Sequence, residues 1–182
     1  MGELAEQMLT KVKSAFQSRD LSELSLQYDQ VVALREAVLA YLQHVGRAEL
    51  SDAEADEHAR LVAAAGEIEN LSAAISRELA PLAQSRKEAN IIPSEETAEL
   101  LNRLFQTIQE SAHCALLALV EGDERAAQTV VANRGAILEL TSELLRLQSV
   151  RLGLDDPDRL LKHRVQFEML DKLRRVYSVS EH

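Results

Sequence analysis

The sequence predicts an all-α protein built from two pseudo-repeated, antiparallel three-helix bundles that pack side by side. The composition is 46% hydrophobic but only 3% aromatic, which is typical of long packed helices rather than of sheets. Apolar residues recur at three- and four-residue steps, the period of an amphipathic helix. Helix start and stop signals also fall at corresponding places in the two halves, residues 1–90 and 91–182.

The first half carries signals for three helices. The first is predicted from residue 2 to residue 17. Asp20 is a candidate N-cap for the second helix, which Gly46 is expected to close with a positive φ. Ser51 and Glu54 have the spacing of a capping box and open the third helix. Pro81 is expected to kink or end that helix one turn earlier, because it lacks an N–H and crowds the carbonyl four residues back.

The second half repeats this arrangement after a boundary at residues 85–93. Ser94 is a candidate cap for the fourth helix. Asp123 opens the fifth helix and Gly153 closes it, while Asp156–Pro157 is a favoured start for the sixth. Short connections between consecutive helices predict antiparallel neighbours. The stripes predict a core that includes Ala5, Met8, Val12, Tyr28, Val31, Leu34, Leu61, Ile68, Leu71, Leu104, Ile108, Ala127, Ile137, Leu144, Phe167, Leu170, Leu173 and Val176.

Composition and motifs argue against several classes of function. The formal net charge of -10 disfavours nucleic-acid binding. The single cysteine, Cys114, excludes an intrachain disulfide and suits a reducing cytoplasm. Its neighbour His113 cannot activate it, because adjacent helical side chains point about 100° apart. No Gly-rich phosphate loop, nucleophile elbow or His-Glu-x-x-His helix is present. The sequence therefore predicts a protein that is not an enzyme, with Cys114 as a buried hydrophobe.

Two groups of polar residues are candidates for a binding site. Glu67 and Asn70 have the three-residue spacing that lets two side chains reach one ion, whereas Glu67 and Glu69 do not. His58 and His163 recur near the start of the third helix of each half, where a partly buried rim histidine is favoured over a ligand. The spacing alone gives little support for a metal.

A concentration of basic residues lies near the C-terminus of this acidic chain. Two readings remain open for it: a solvated face of mixed charge, or a docking surface for an acidic partner or the anionic inner leaflet of a membrane. The residues concerned are Arg146, Arg151, Arg159, Lys162, Arg164, Lys172, Arg174 and Arg175.

The chain resembles PhoU-like domains along essentially its whole length. The opening Gly-Glu-Leu-Ala-Glu-Gln-Met-Leu and the Gly-Asp-Glu-Arg-Ala at residues 122–126 are similar to that family. Residues 66–72, Gly-Glu-Ile-Glu-Asn-Leu-Ser, lie where it carries an Asp-Leu-Glu-Arg-Ile-Gly-Asp signature. Residues 171–176, Asp-Lys-Leu-Arg-Arg-Val, resemble the variant in the cytoplasmic C-terminal domain of bacterial sodium/phosphate cotransporter family proteins.

The resemblance implies a metal site that this chain does not preserve. In PhoU proteins, acids of the paired signatures can hold metal clusters. Glu67 and Glu69 match two of these acids, but Ala73, Arg174 and Ser178 replace others. Because an arginine repels a cation, no cofactor is expected, although a divalent or ferric ion, if bound, would be held by Glu67 and Glu69.

The resemblance also implies a function. The expectation is a regulatory domain of a sodium-dependent phosphate transport system at the cytoplasmic face of the plasma membrane, bound to a membrane phosphate transporter in cis or in trans. Arg164, Lys172, Arg174 and Arg175 are the candidate partner-binding residues. The alternatives are a freestanding adaptor that binds a transporter or a sensor kinase, and a metal-binding helical bundle. A homodimer is compatible with each of these readings.

Overall fold

The computed structural model describes residues 1–18, 23–151 and 157–181, which form six helices and no strand. The prediction of an all-α protein is confirmed. The third helix, α3, consists of three uninterrupted segments, Asp52–Ala73, Ala74–Leu79 and Ala80–Glu88. The others are α1 (Gly2–Ser18), α2 (Leu24–Val45), α4 (Glu95–Glu121), α5 (Glu124–Arg151) and α6 (Pro157–Ser180).

Three of the predicted helix starts are formed by the expected side chains. Ser51 and Glu54 make a reciprocal capping box at the start of α3. The Ser94 hydroxyl accepts a hydrogen bond from the Thr97 backbone N–H at the start of α4. Asp123 Oδ1 accepts from the N–H groups of the second and third residues of α5, at 2.9 and 3.2 Å. The predicted signals Asp20, Gly153 and Asp156 lie outside the described residues.

The two glycines that follow α2 and α4 serve different purposes. Gly122 has φ +69° and ends α4 in the left-handed conformation that glycine adopts without steric cost. Gly46 has φ −66°, so the prediction of a positive φ there was wrong. A Cβ at Gly46 would lie 3.1 Å from His58 Nε2, which is itself 2.8 Å from the Leu42 carbonyl oxygen. Because Gly46 has no side chain, His58 of α3 can approach and contact the end of α2.

Pro81 does not end α3, contrary to one of the predicted outcomes. The segment Ala74–Leu79 is a π-helix, and the Ala80 N–H donates to the Ile75 carbonyl five residues back. Pro81 then lies in the first turn of the following α-helical segment, where a missing N–H is tolerated. The wider π-helical turn accommodates the missing N–H of Pro81, so α3 continues to Glu88.

A continuous hydrophobic core joins the two halves of the chain. α1 packs against α2, α3 and α4, and α6 packs along both α3 and α4. Met8 of α1, Ile75 of α3, Leu104 of α4 and Leu173 of α6 all belong to one cluster of buried side chains. The α3–α6 contact therefore links the first half to the second through apolar burial.

Four predicted core positions proved to be exposed: Leu34, Leu61, Ala127 and Phe167. Phe167 is 60% exposed. It lies nine residues before Val176, and at about 100° per residue the two side chains point to opposite faces of α6. The stripe that is buried instead contains Val165 and Met169, which a period of 3.6 places on the same face as Val176. Ala126 replaces Ala127 in the core of α5 for the same reason.

The far ends of α2 and α3 form an arm that extends beyond the core. We define the arm as residues 33–45 of α2 and 52–63 of α3, among which Leu42 is the buried side chain. The side chains of Leu34, Tyr41 and Leu61 are more than a third exposed. The capping box of Ser51 and the contact between His58 and the Leu42 carbonyl secure the arm at its tip.

The core assignment of α6 can be tested by placing an unpaired charge in it. Leu173 is fully buried, so Leu173→Asp should lower the free energy of unfolding by roughly 3–5 kcal/mol. Phe167→Asp on the same helix is the control and should change it by less than about 1 kcal/mol. Urea denaturation followed by circular dichroism measures both. Equal losses for the two variants would contradict the orientation of α6.

The glycine at the end of α4 can be compared with a glycine inside a helix. Gly122→Ala should cost about 1 kcal/mol, because alanine is strained at positive φ. Gly135→Ala in α5 should stabilise by roughly 0.5–1 kcal/mol, because the added Cβ meets no atom within 4 Å and alanine favours the helix. Thermal denaturation of both variants would measure the opposite signs. A stabilising Gly122→Ala would contradict the left-handed cap.

Candidate functional site

A groove of about 440 Å³ lies between α5 and α6 and contains most of the predicted partner-binding residues. Four cationic side chains line it against two carboxylates, in a chain whose net charge is -10. Leu138 adds an exposed apolar side chain. The charged lining residues are Arg134, Asp171, Lys172, Arg174, Arg175 and Glu181.

One side of the groove is fixed by Glu78 of the π-helical segment. Its carboxylate lies 3.1 Å from Lys172 Nζ and 3.2 Å from Arg175 Nη1. The Glu78 side chain is only 20% exposed, and its carboxylate raises the pKa of Lys172, mainly through their hydrogen bond. These contacts hold two of the groove cations against α3.

The other side of the groove is fixed by Tyr177 of α6. Its buried hydroxyl donates to the Val130 carbonyl oxygen at 2.8 Å and lies 2.9 Å from Glu181 Oε1. Burial, followed by the contact with the Glu181 carboxylate, raises the pKa of Tyr177 to about 12. Arg134 Nε approaches the same carboxylate at 3.9 Å. Tyr177 thus anchors α6 to the backbone of α5.

The structure separates the four predicted partner-binding residues into three kinds. Lys172 and Arg175 line the groove but are paired with Glu78. Arg164 lies outside the groove lining and pairs within its own helix, with Nε 2.8 Å from Glu168 Oε1. Arg174 is exposed and lines the groove, and it forms no ion pair with any described residue. Among the four predicted residues, Arg174 is therefore the one that no described acid holds in place.

The two candidate metal-binding acids, Glu67 and Glu69, contact different residues. Glu69 Oε2 lies 2.8 Å from Arg35 Nε of α2. Glu67 Oε2 accepts a long hydrogen bond, 3.4 Å, from Asn70 Nδ2. Because the two side chains are two residues apart on a helix, they point in different directions. Within the described ranges, no group of three or more histidine, cysteine or acidic side chains is arranged to hold a metal ion.

The remaining candidate residues have structural contacts. His113 Nδ1 lies 2.7 Å from Glu6 Oε1 of α1. Cys114 is only partly buried and packs against the hydrophobic core, so the prediction of a small buried hydrophobe is met in part. Burial and then the charges of Glu110 and Asp123 raise the pKa of this thiol, which disfavours the nucleophilic thiolate. His58 is partly buried, as predicted, while the side chain of His163 lies outside the described part.

Sequence reasoning missed Glu78, Arg134 and Tyr177. Glu78 is 94 residues before Lys172 in the chain, and such a contact has no local signal. The one hint is Pro81, whose position inside a strong helical pattern indicates a local change of hydrogen bonding nearby. Arg134 could have been found from the helical period, because it lies one turn before Leu138 on the same face of α5.

Comparison of the chain with protein-family models, with curated proteins and with solved structures finds no match. In the part of the chain that the structure describes, none of the helices has the length and apolar character needed to cross a membrane. The interpretation of the groove therefore rests on its own residues.

The raised pKa of Tyr177 predicts a pH dependence of stability. Because the folded protein holds the phenolic proton more tightly, this contribution is fully present below pH 10 and is lost between pH 10 and about 12. The wild-type protein should lose stability relative to Tyr177→Phe over that range, by at most about 1.4 kcal/mol per pH unit. Urea denaturation at several pH values measures the difference. If the difference in unfolding free energy between the two proteins stayed constant from pH 10 to about 12, the raised pKa of Tyr177 would be contradicted.

Proposed function

We propose that this chain is a non-enzymatic regulatory domain that docks through the α5–α6 groove onto an acidic surface of a membrane transport protein. The observation that carries the proposal is the local excess of positive charge in that groove, within a protein of net charge -10. Charge complementarity of this kind selects the partner and sets the orientation of docking.

The groove has the composition of a protein-binding surface. Arginine is enriched at the residues that dominate binding energy, and Arg174 and Arg134 are both exposed here. Leu138 lies among these cations and is 48% exposed, so it can serve as an apolar anchor. Lys172 and Arg175 are already oriented by Glu78, which lowers the entropy lost when a partner binds.

The identity of the transport system comes from the resemblance to PhoU-like domains. On this proposal, α1–α3 and α4–α6 are the two three-helix units of such a domain, and they share one core. The partner is then a sodium-dependent phosphate transporter, and docking occurs at the cytoplasmic face of the membrane. The direct packing of α6 on α3, the third helices of the two units, supports this arrangement.

The same surface serves both arrangements of the partner. A domain linked to its transporter and a freestanding adaptor that binds a transporter or a sensor kinase would each use the groove. The two differ in whether the docking partner belongs to the same polypeptide. Neither Glu67 nor Glu69 is needed for docking, because both lie outside the groove lining.

Photo-cross-linking from Leu138 would test the proposal. A benzoyl-phenylalanine at this position should cross-link to a membrane transport protein when the chain is added to native membranes. Arg174→Glu should weaken sedimentation with those membranes about tenfold, because it places a negative charge opposite an acidic surface. Higher salt should weaken the wild-type association as well.

Arg103→Glu is the matched control, because Arg103 is exposed on α4 and lies outside the groove. It should leave association unchanged. Arg175→Glu is a poor substitute for Arg174→Glu, because it would place a carboxylate against Glu78 and reduce stability. Equal binding by wild type and Arg174→Glu, or cross-links to proteins other than transporters and sensor kinases, would contradict the proposal.

A further inference from the structure

A second cavity, separate from the groove, opens between the C-terminal ends of α1 and α3 and the first turns of α4. Its volume is about 240 Å³, and it shares no lining residue with the groove. A smaller cavity of about 170 Å³ adjoins it, with Arg86 lining both. The residues of the larger cavity that carry the argument are Lys13, Phe16, Arg86, Leu101, Asn102 and Phe105.

Arg86 is a partly buried cation that pairs with no carboxylate in the described part of the chain. Its guanidinium carbon lies 5.7 Å from the centroid of the Phe16 ring, and its Nε donates to the Ile91 carbonyl oxygen at 3.2 Å. No ion pair joins Arg86 to any residue that the structure describes. Burial lowers the pKa of Arg86, and no neighbouring acid opposes this. Its terminal nitrogens are therefore available to an incoming anion.

Lys13 is a second cation at the same cavity. It is partly buried and forms no ion pair within the described ranges. By contrast, Lys11, one half-turn earlier on α1, pairs with Glu23. Although the chain has 30 acidic and 20 basic residues, no acid in the described residues pairs with either of these two cations.

Apart from Asn102, the rest of the cavity wall is apolar. The rings of Phe16 and Phe105 contact each other with centroids 5.4 Å apart and an interplanar angle of 50°. Leu101 lies beside them in the wall, and Asn102 provides an amide that can donate and accept hydrogen bonds. The cavity thus combines two cationic side chains with an aromatic wall, a combination that suits a small molecule with one charged group.

We propose that this cavity binds a small organic carboxylate with an aromatic or branched apolar body. The terminal nitrogens of Arg86 and the ammonium of Lys13 hold the carboxylate, and Phe16, Leu101 and Phe105 contact the body. The volume is below the roughly 300–1,000 Å³ that drug-sized ligands need, so the ligand is a single-ring or short-chain acid. This site does not depend on the function proposed for the groove.

A titration with 3-phenylpropionate, followed by two-dimensional ¹H–¹⁵N NMR of the full chain, would test the site. The largest shifts are expected for the backbone amides of residues 13–16, 86–91 and 101–105. The neutral 3-phenylpropionamide should bind at least about tenfold more weakly, because it forfeits the charge-assisted hydrogen bonds. Inorganic phosphate should also bind more weakly, because it makes no use of the aromatic wall.

Single substitutions distinguish binding at this cavity from non-specific attraction of the anion to any cation of the protein. Lys13→Gln and Arg86→Gln should each weaken 3-phenylpropionate binding about tenfold or more. Arg103→Gln, next to Asn102 but exposed, should leave it unchanged. Lys13→Gln keeps the proposal testable if Arg86→Gln fails to fold. Absence of shifts up to the solubility of the probe, equal binding of acid and amide, phosphate binding as tight as that of 3-phenylpropionate, or an equal loss in Arg103→Gln would overturn it.

Discussion

The fold depends on α3 remaining helical through Pro81. This helix packs against α1, α2, α4 and α6, so a break in it would disconnect the parts of the core that the other helices share. The π-helical turn at Ala74–Leu79 prevents the break by moving the hydrogen-bond partner of Ala80 to the fifth residue back. The same turn places Arg77 4.8 Å from the centroid of the Tyr28 ring and brings Glu78 to α6. The π-helical turn that accommodates Pro81 therefore also orients one wall of the groove.

Local chemistry determined which features of the structure could be predicted. The caps at Ser51, Ser94 and Asp123 depend on side chains within three residues of the backbone groups they bind, so the sequence shows them directly. The groove was only partly predictable, because Lys172 and Arg175 stand out as cations but their pairing with Glu78 is a contact between distant parts of the chain. Phe167 was misplaced because a run of three-residue steps drifts around a helix of 3.6 residues per turn.

The charge of this protein acts differently at long and short range. The net charge of -10 repels an anionic partner at a distance. Screening at physiological salt limits that repulsion to roughly 8 Å, so a partner in contact experiences mainly the nearby groups. Some of the cations are paired with acids, as Arg164 is with Glu168, whereas Arg174, Lys13 and Arg86 have no such partner in the described residues. Binding at the groove and at the second cavity therefore depends on the groups that an anion touches there rather than on long-range attraction. An anion that does not match these groups gains little and is still repelled by the net charge.

The arm of α2 and α3 has a consequence for how this sequence can vary in length. Its two helices contact each other, and Leu42 is the buried side chain among the residues of the arm. Adding or removing two turns, about seven residues, in both helices at once would keep their facing sides in register. Such a change would move the tip and its capping box by about 10 Å without displacing the residues that line the groove or the core. The arm is thus the part of the molecule whose reach can be adjusted independently of everything that it is attached to.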